Sequence, residues 1–123
     1  MFGRNRARTP RPADMVIATT EIVEDGAPAN LVVRFSDHWV FMSADSGESE
    51  LVGLHFAHLR DADTSLWFLR LKPSQYAMRI DIVSPWHVHG PLGDEEIERR
   101  LATGFMDEQY DAMVCAAEAA AGR

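Results

Sequence analysis

Two alternating runs separated by only two residues constrain this chain most. Over residues 31–35, Leu31, Val33 and Phe35 alternate with Val32 and Arg34, and over 38–43 Trp39 and Phe41 fall on one side of a second run. Only Ser36 and Asp37 lie between them. A link that short folds two strands back on each other as an antiparallel hairpin, whereas parallel strands need a crossover of about a dozen residues or more.

The flanking segments extend this unit. Residues 15–23 contain Val16, Ile17, Thr19, Thr20, Ile22 and Val23, a β-branched run that predicts a first strand, broken by Glu24-Asp25-Gly26 and Pro28. After a polar, acidic stretch over 43–50, Leu51, Leu54, His58 and Leu59 recur at helical spacing and predict a helix starting near Glu50. Asp63 or Thr64 can cap a second short helix running to Leu69. Tyr76, Met78, Ile80 and Ile82 alternate with Ala77, Arg79, Asp81 and Val83, which predicts a strand over 76–83. Two prolines and two glycines over 85–93 predict an extended loop.

Two helices should close the chain. Asp94, Glu95 and Glu96 precede Arg99 and Arg100, the order that the helix dipole favours, and Gly104 marks a stop before the stripe of Met106, Tyr110, Met113, Val114 and Ala117. That stripe suits either a core or a dimer contact. The expected fold is therefore α+β: a small, mostly antiparallel sheet of about four strands packed with helices, followed by a C-terminal helical pair. The expected organisation is a disordered basic leader over 1–13, one α+β domain over 14–92 and a helical extension over 93–123.

Charge narrows the partners. Arg4, Arg6, Arg8 and Arg11 occupy the head, so residues 14–123 hold 8 basic against 19 acidic side chains and a net charge of −11. Such a surface repels phosphate backbones and steers a basic partner inward, which argues against nucleic acid. No stretch reaches the roughly 18 to 20 apolar residues of a membrane helix, and the head lacks the apolar segment of a secretory signal, so a cytoplasmic protein without a membrane partner is expected. The single cysteine, Cys115, sits in an alanine-rich run with no basic residue beside it and reads as a small packing residue.

Catalytic signatures are missing from the residues. There is no Gly-x-Ser-x-Gly elbow, no phosphate-binding glycine loop, no Cys-x-x-Cys and no His-Glu-x-x-His. His87 and His89 flank one residue and His55 lies three before His58, but a zinc site needs three or four ligands and neither pair supplies them. The other reading places His55 and His58 at a helix edge and packs His87 and His89 beside Trp86. Asp45, Glu48, Glu50, Asp61 and Asp63 match no calcium loop and read as solvated, capping or partner-facing carboxylates. Trp39, Trp67 and Trp86 read as core anchors. No cofactor, metal or catalytic residue is expected.

The order of these marks resembles one family. Glu24-Asp25-Gly26-Ala27-Pro28 after the first strand, Trp39-Val40-Phe41 followed by Ser43-Ala44-Asp45, Asp63-Thr64-Ser65-Leu66, Pro73 before Arg79, and Trp86 are similar to the pattern of immunity-protein family thirty-three of bacterial polymorphic toxin systems, formerly a domain of unknown function. The resemblance spans about residues 15–86; His38, Ala44 and Thr64 stand where that pattern favours Gly, Gly and Pro. It implies a small cytoplasmic α+β protein that binds a cognate toxin and neutralises it by occlusion, without catalysis. On that reading Asp45, Glu48, Glu50 and Asp61 contact the toxin, while Trp39, Phe41, Asp63, Leu66, Arg79 and Trp86 hold the scaffold. The alternatives are a regulatory or ligand-binding accessory domain and, further off, a metal-dependent enzyme using His87 and His89.

Overall fold

The structure, a computed structural model, describes residues 6–44 and 50–122. The fold is α+β, with a sheet of six strands rather than four. The elements are β1 (Met15–Thr19), α1 (Thr20–Asp25), β2 (Leu31–Arg34), β3 (Trp39–Met42), β4 (Leu51–His55), α2 (Phe56–Ala62), a 3-10 turn (Thr64–Trp67), β5 (Gln75–Met78), β6 (His87–His89), α3 (Asp94–Thr103) and α4 (Phe105–Ala121). Strand order is β4-β1-β3-β2-β5-β6, antiparallel throughout except for the β1·β3 pair.

The hairpin forms as expected. β2 and β3 pair from Leu31 with Met42 to Arg34 with Trp39, and the Phe35 amide donates to the His38 carbonyl at 2.8 Å across Ser36-Asp37. Because β2 sits between β3 and β5, all four of its residues are buried. Alternate side chains therefore feed two cores. One face packs Val16, Ala18, Val32, Trp39, Phe41 and Ala77 against Phe56, Leu59 and Leu66. The other packs Val33, Val40, Tyr76 and Met78 against Ile97 of α3 and Met106 of α4. The C-terminal helices thus cover the centre of one face of the sheet, over β2, β3 and β5, and leave Leu51 and Met15 exposed toward its β4 edge.

Four expected elements take another form. The run 15–23 stops being a strand at Thr19, which pairs with Leu51, the first residue of β4; α1 follows, puts Ile22 against the core and ends at Gly26 in the left-handed region at φ +70°. The helix expected from Glu50 begins as β4, because Val52 and Leu54 are half-buried while Leu51, Gly53 and His55 are exposed, a two-residue period hidden inside the helical spacing. The strand expected over 76–83 ends at Met78, where the Asn30 side chain takes the Arg79 and Ile80 carbonyls at 3.3 and 2.8 Å. The loop over 85–93 contains β6, which pairs with β5.

Three smaller features complete the frame. Gly104, at φ +79°, separates α3 from α4 as expected. Cys115 is exposed on α4 and packs in no core. In the described part of the basic head, expected to be disordered, Arg8 exchanges backbone hydrogen bonds with Leu71 at 3.1 and 3.0 Å, and the buried Arg34 guanidinium donates to the carbonyls of Arg6 and Leu71.

Candidate functional site

Three of the six scaffold residues named from sequence, Asp63, Arg79 and Trp86, meet around one buried cation. Arg79 follows β5 and is fully buried. Its Nε donates to the Ala29 carbonyl at 2.9 Å, one Nη to Ser65 Oγ at 2.6 Å and the other to the Asp63 carboxylate. The indole of Trp86 lies 4.2 Å from its guanidinium carbon and points Nε1 at Ser65 Oγ. Asp63 also accepts from the Ser65 amide and hydroxyl, so it caps the 3-10 turn as its position predicts. Leu66, one turn on, is buried under the same cluster of side chains as Trp39 and Phe41, whose rings stack 6.4 Å apart.

An arginine suits this place because its planar fork serves three acceptors in fixed directions and needs no water. The consequence is mechanical. Ala29 belongs to the segment after α1, Asp63 and Ser65 to the segment after α2, and Arg79 to the end of β5. One side chain ties three chain segments together, and Asn30 repeats the tie through the Arg79 and Ile80 carbonyls.

Those same segments wall a groove of about 480 Å³ on the surface. Ile22 and Val23 of α1, Leu54 of β4, Ala62 at the end of α2, Leu66 and Ile82 give it an apolar lining. Val23 is 41% exposed and Ile82 52%, and Val83 beside it is 88% exposed. Asp63 also lines the groove, with its carboxylate committed inward to Arg79 and Ser65.

The expected partner-facing carboxylates divide. Asp45 and Glu48 lie outside the described residues. Glu50 is exposed, and its carbonyl accepts from the Thr20 amide at the start of α1. Asp61, on α2, is exposed and 3.9 Å from Arg60. Three further carboxylates that the sequence analysis did not single out lie exposed in the segments around the groove: Glu24, Asp25 and Asp81. Asp81 is held below the usual carboxylate range by the hydrogen bond from Ser84 Oγ, against a smaller opposing effect of burial, with the Val83 and Ser84 amides adding to it.

The histidines are placed differently from one another. His87 is exposed, and His89 is half-buried with its ring stacked on Tyr76 at 5.0 Å and its Nε2 3.2 Å from Gln109 Nε2 of α4. Burial, then the charges of His87 and Arg100, push its pKa below the ordinary 6.5. His55 and His58 are exposed with rings 6.3 Å apart. Among the described residues no three His, Cys, Asp or Glu side chains gather where they could hold a metal ion.

Sequence reasoning missed Asn30, Ala29 and Ser65 as partners of Arg79, and it missed the groove. Asn30 carried a signal, since a lone amide between an exposed proline turn and a buried strand needs partners of its own. No protein-family model, curated protein or solved structure matches the chain. The family resemblance over 15–86 therefore rests on those residues alone.

Proposed function

We propose that this protein is a stoichiometric binding domain that neutralises a basic protein toxin by covering part of its surface. The observation that carries the reading is the charge of the surface around α1 and α2. Residues 20–29, 54–66 and 80–83 together contain six carboxylates and one basic residue, Arg60, whose guanidinium lies 4.2 Å over the Trp67 ring. Glu24, Asp25, Asp61 and Asp81 among them are exposed, as is the nearby Glu50. Like charges held on one face attract a cationic partner from a distance and speed its arrival, an effect that salt screens.

The resemblance over 15–86 supplies the biological role, protection of a producing cell or its kin from a cognate toxin in the cytoplasm. On this reading the acidic stretch 43–50, with Asp45, Glu48 and Glu50, and the surface around Asp61 make the contacts, and the Arg79 cluster keeps their supports in place.

Growth rescue tests the role. A secreted multidomain toxin encoded beside this chain's gene should stop growth when its toxic domain is made inside a bacterium, and co-expression of the chain should restore it. No rescue, or a gene neighbourhood without such a toxin, overturns the proposal and favours a regulatory domain. Charge reversal at Asp45, Glu48, Glu50 and Asp61 should slow association at low salt, and unchanged kinetics would remove those residues from the contact.

A further inference from the structure

We propose that the groove between α1 and α2 is the seat for an apolar side chain on a basic, amphipathic segment of a protein partner. This deepens the binding role above by naming where the partner anchors and what chemistry it presents. The first support is the lining. Ile22, Val23, Leu54, Leu66 and Ile82 converge on about 480 Å³ of open space, with Val23 and Ile82 substantially exposed. Apolar surface gathered in a concavity and edged by polar residues marks a site of association, since scattered apolar side chains need no explanation but a lined cavity does.

The second support is rigidity. Arg79 binds Ala29, Asp63 and Ser65, and Asn30 binds the Arg79 and Ile80 carbonyls, so the lining segments around Ala29, Asp63 and Ile80 share hydrogen bonds that are buried or partly buried. On the remaining side, Asp81 accepts from the Val83 amide and Ser84 hydroxyl at 3.0 and 2.7 Å, folding the turn that presents Ile82 and Val83. A groove formed before the partner arrives loses little ordering entropy on binding.

The third support is the choice of occupant. Asp63 is committed to Arg79 and Ser65, which leaves His58 as the other ionisable side chain in the lining, so the interior favours an apolar anchor over a polar small molecule. Around it, Glu24, Asp25, Asp61 and Asp81 are exposed on the lining segments or next to them. Apolar inside and anionic outside is the complement of a segment that alternates Leu or Phe with Lys or Arg.

A fluorescent peptide of Leu and Lys at helical spacing, and its counterpart with every Leu replaced by Ser, provide the test on the full chain. The Leu peptide should bind at least 10-fold more tightly than the Ser peptide. The double substitution Val23→Ser and Ile82→Ser, which leaves charge unaltered, should remove most of that difference, and Ala62→Trp, which fills the groove from an exposed position, should do the same. Equal binding of the two peptides, no binding of either, or full binding by both variants overturns the inference. The binding role is judged separately: rescue from the toxin that survives both variants sinks the groove and keeps the role, whereas groove-dependent peptide binding without rescue keeps the groove and sinks the role.

Discussion

The two faces of the sheet are closed by different means. On one, α3 and α4 lay Ile97 and Met106 over Val33, Val40, Tyr76 and Met78, and the two apolar anchors are almost entirely shielded from water. On the other, α2 and the 3-10 turn lay Phe56, Leu59 and Leu66 over Val32, Phe41 and Ala77, and a buried arginine at the end of β5 adds hydrogen bonds to the segments around them. The first face is held by non-directional burial, which tolerates small shifts. The second adds to its apolar core a set of directed hydrogen bonds from Arg79, which fix the geometry of the segments that wall the groove.

Removal of the cation should break this second face most severely. Arg79→Met leaves the Asp63 carboxylate and the Ala29 carbonyl without their partner, and breaking a buried ion pair typically costs about 3 to 5 kcal/mol. Chemical denaturation measures it; a loss below about 1 kcal/mol would mean that the arginine does not frame the groove. Arg79→Lys should recover only part, because one ammonium cannot serve the three acceptors in the same plane.

Truncation on the helix-covered face provides the counterpart. Ile97→Ala should cost about 2 to 5 kcal/mol through lost burial and the cavity left behind, while leaving peptide binding at the groove intact in the folded fraction. A change in groove affinity there would show that the two faces are coupled through the strands.

Polar contacts on that face should matter less. The Tyr76 hydroxyl donates to Gln109 at 2.8 Å and receives Arg100 at 3.3 Å, so Tyr76→Phe should lose about 0.5 to 1.5 kcal/mol, read from a shift of the denaturation midpoint. His89 adds a pH dependence. Its folded pKa is depressed, so below about 6.5 the unfolded chain takes up a proton that the folded chain resists, and stability complete above that pH falls as acid is added. The groups facing the ring are Tyr76, Gln109, His87 and Arg100, and His89→Asn should flatten the slope between pH 6.5 and lower values. An unchanged slope would place the acid sensitivity elsewhere.

The smallest effect belongs to the groove itself. Val23→Ser with Ile82→Ser should alter stability by no more than about 1 kcal/mol per site, since both side chains are already about half exposed to water. A thermal melt checks it, and a large loss would show that these residues serve the core rather than a partner.

Much of this contrast is legible residue by residue. The hairpin across Ser36-Asp37, the Asp63 cap, the stop at Gly104 and the buried Trp39-Phe41 pair each follow from a local rule of period, turn or cap. The groove face is where local rules fail. Thr20 to Val23 have strand chemistry but no strand to pair with, and Leu51 to Leu54 fit helical spacing while β1 offers them a ladder. Short apolar runs carry both periods at once, and the neighbour decides between them.

Composition and order thus determined an acidic α+β chain whose middle folds around a hairpin, because charge, alternation and turn chemistry act over a few residues. Tertiary structure alone decided that Arg79 would join Ala29, Asp63 and Ser65, and that the segments so joined would wall a groove. Contacts between positions about 14 to 50 residues apart exist only once the strands have set the distances between them.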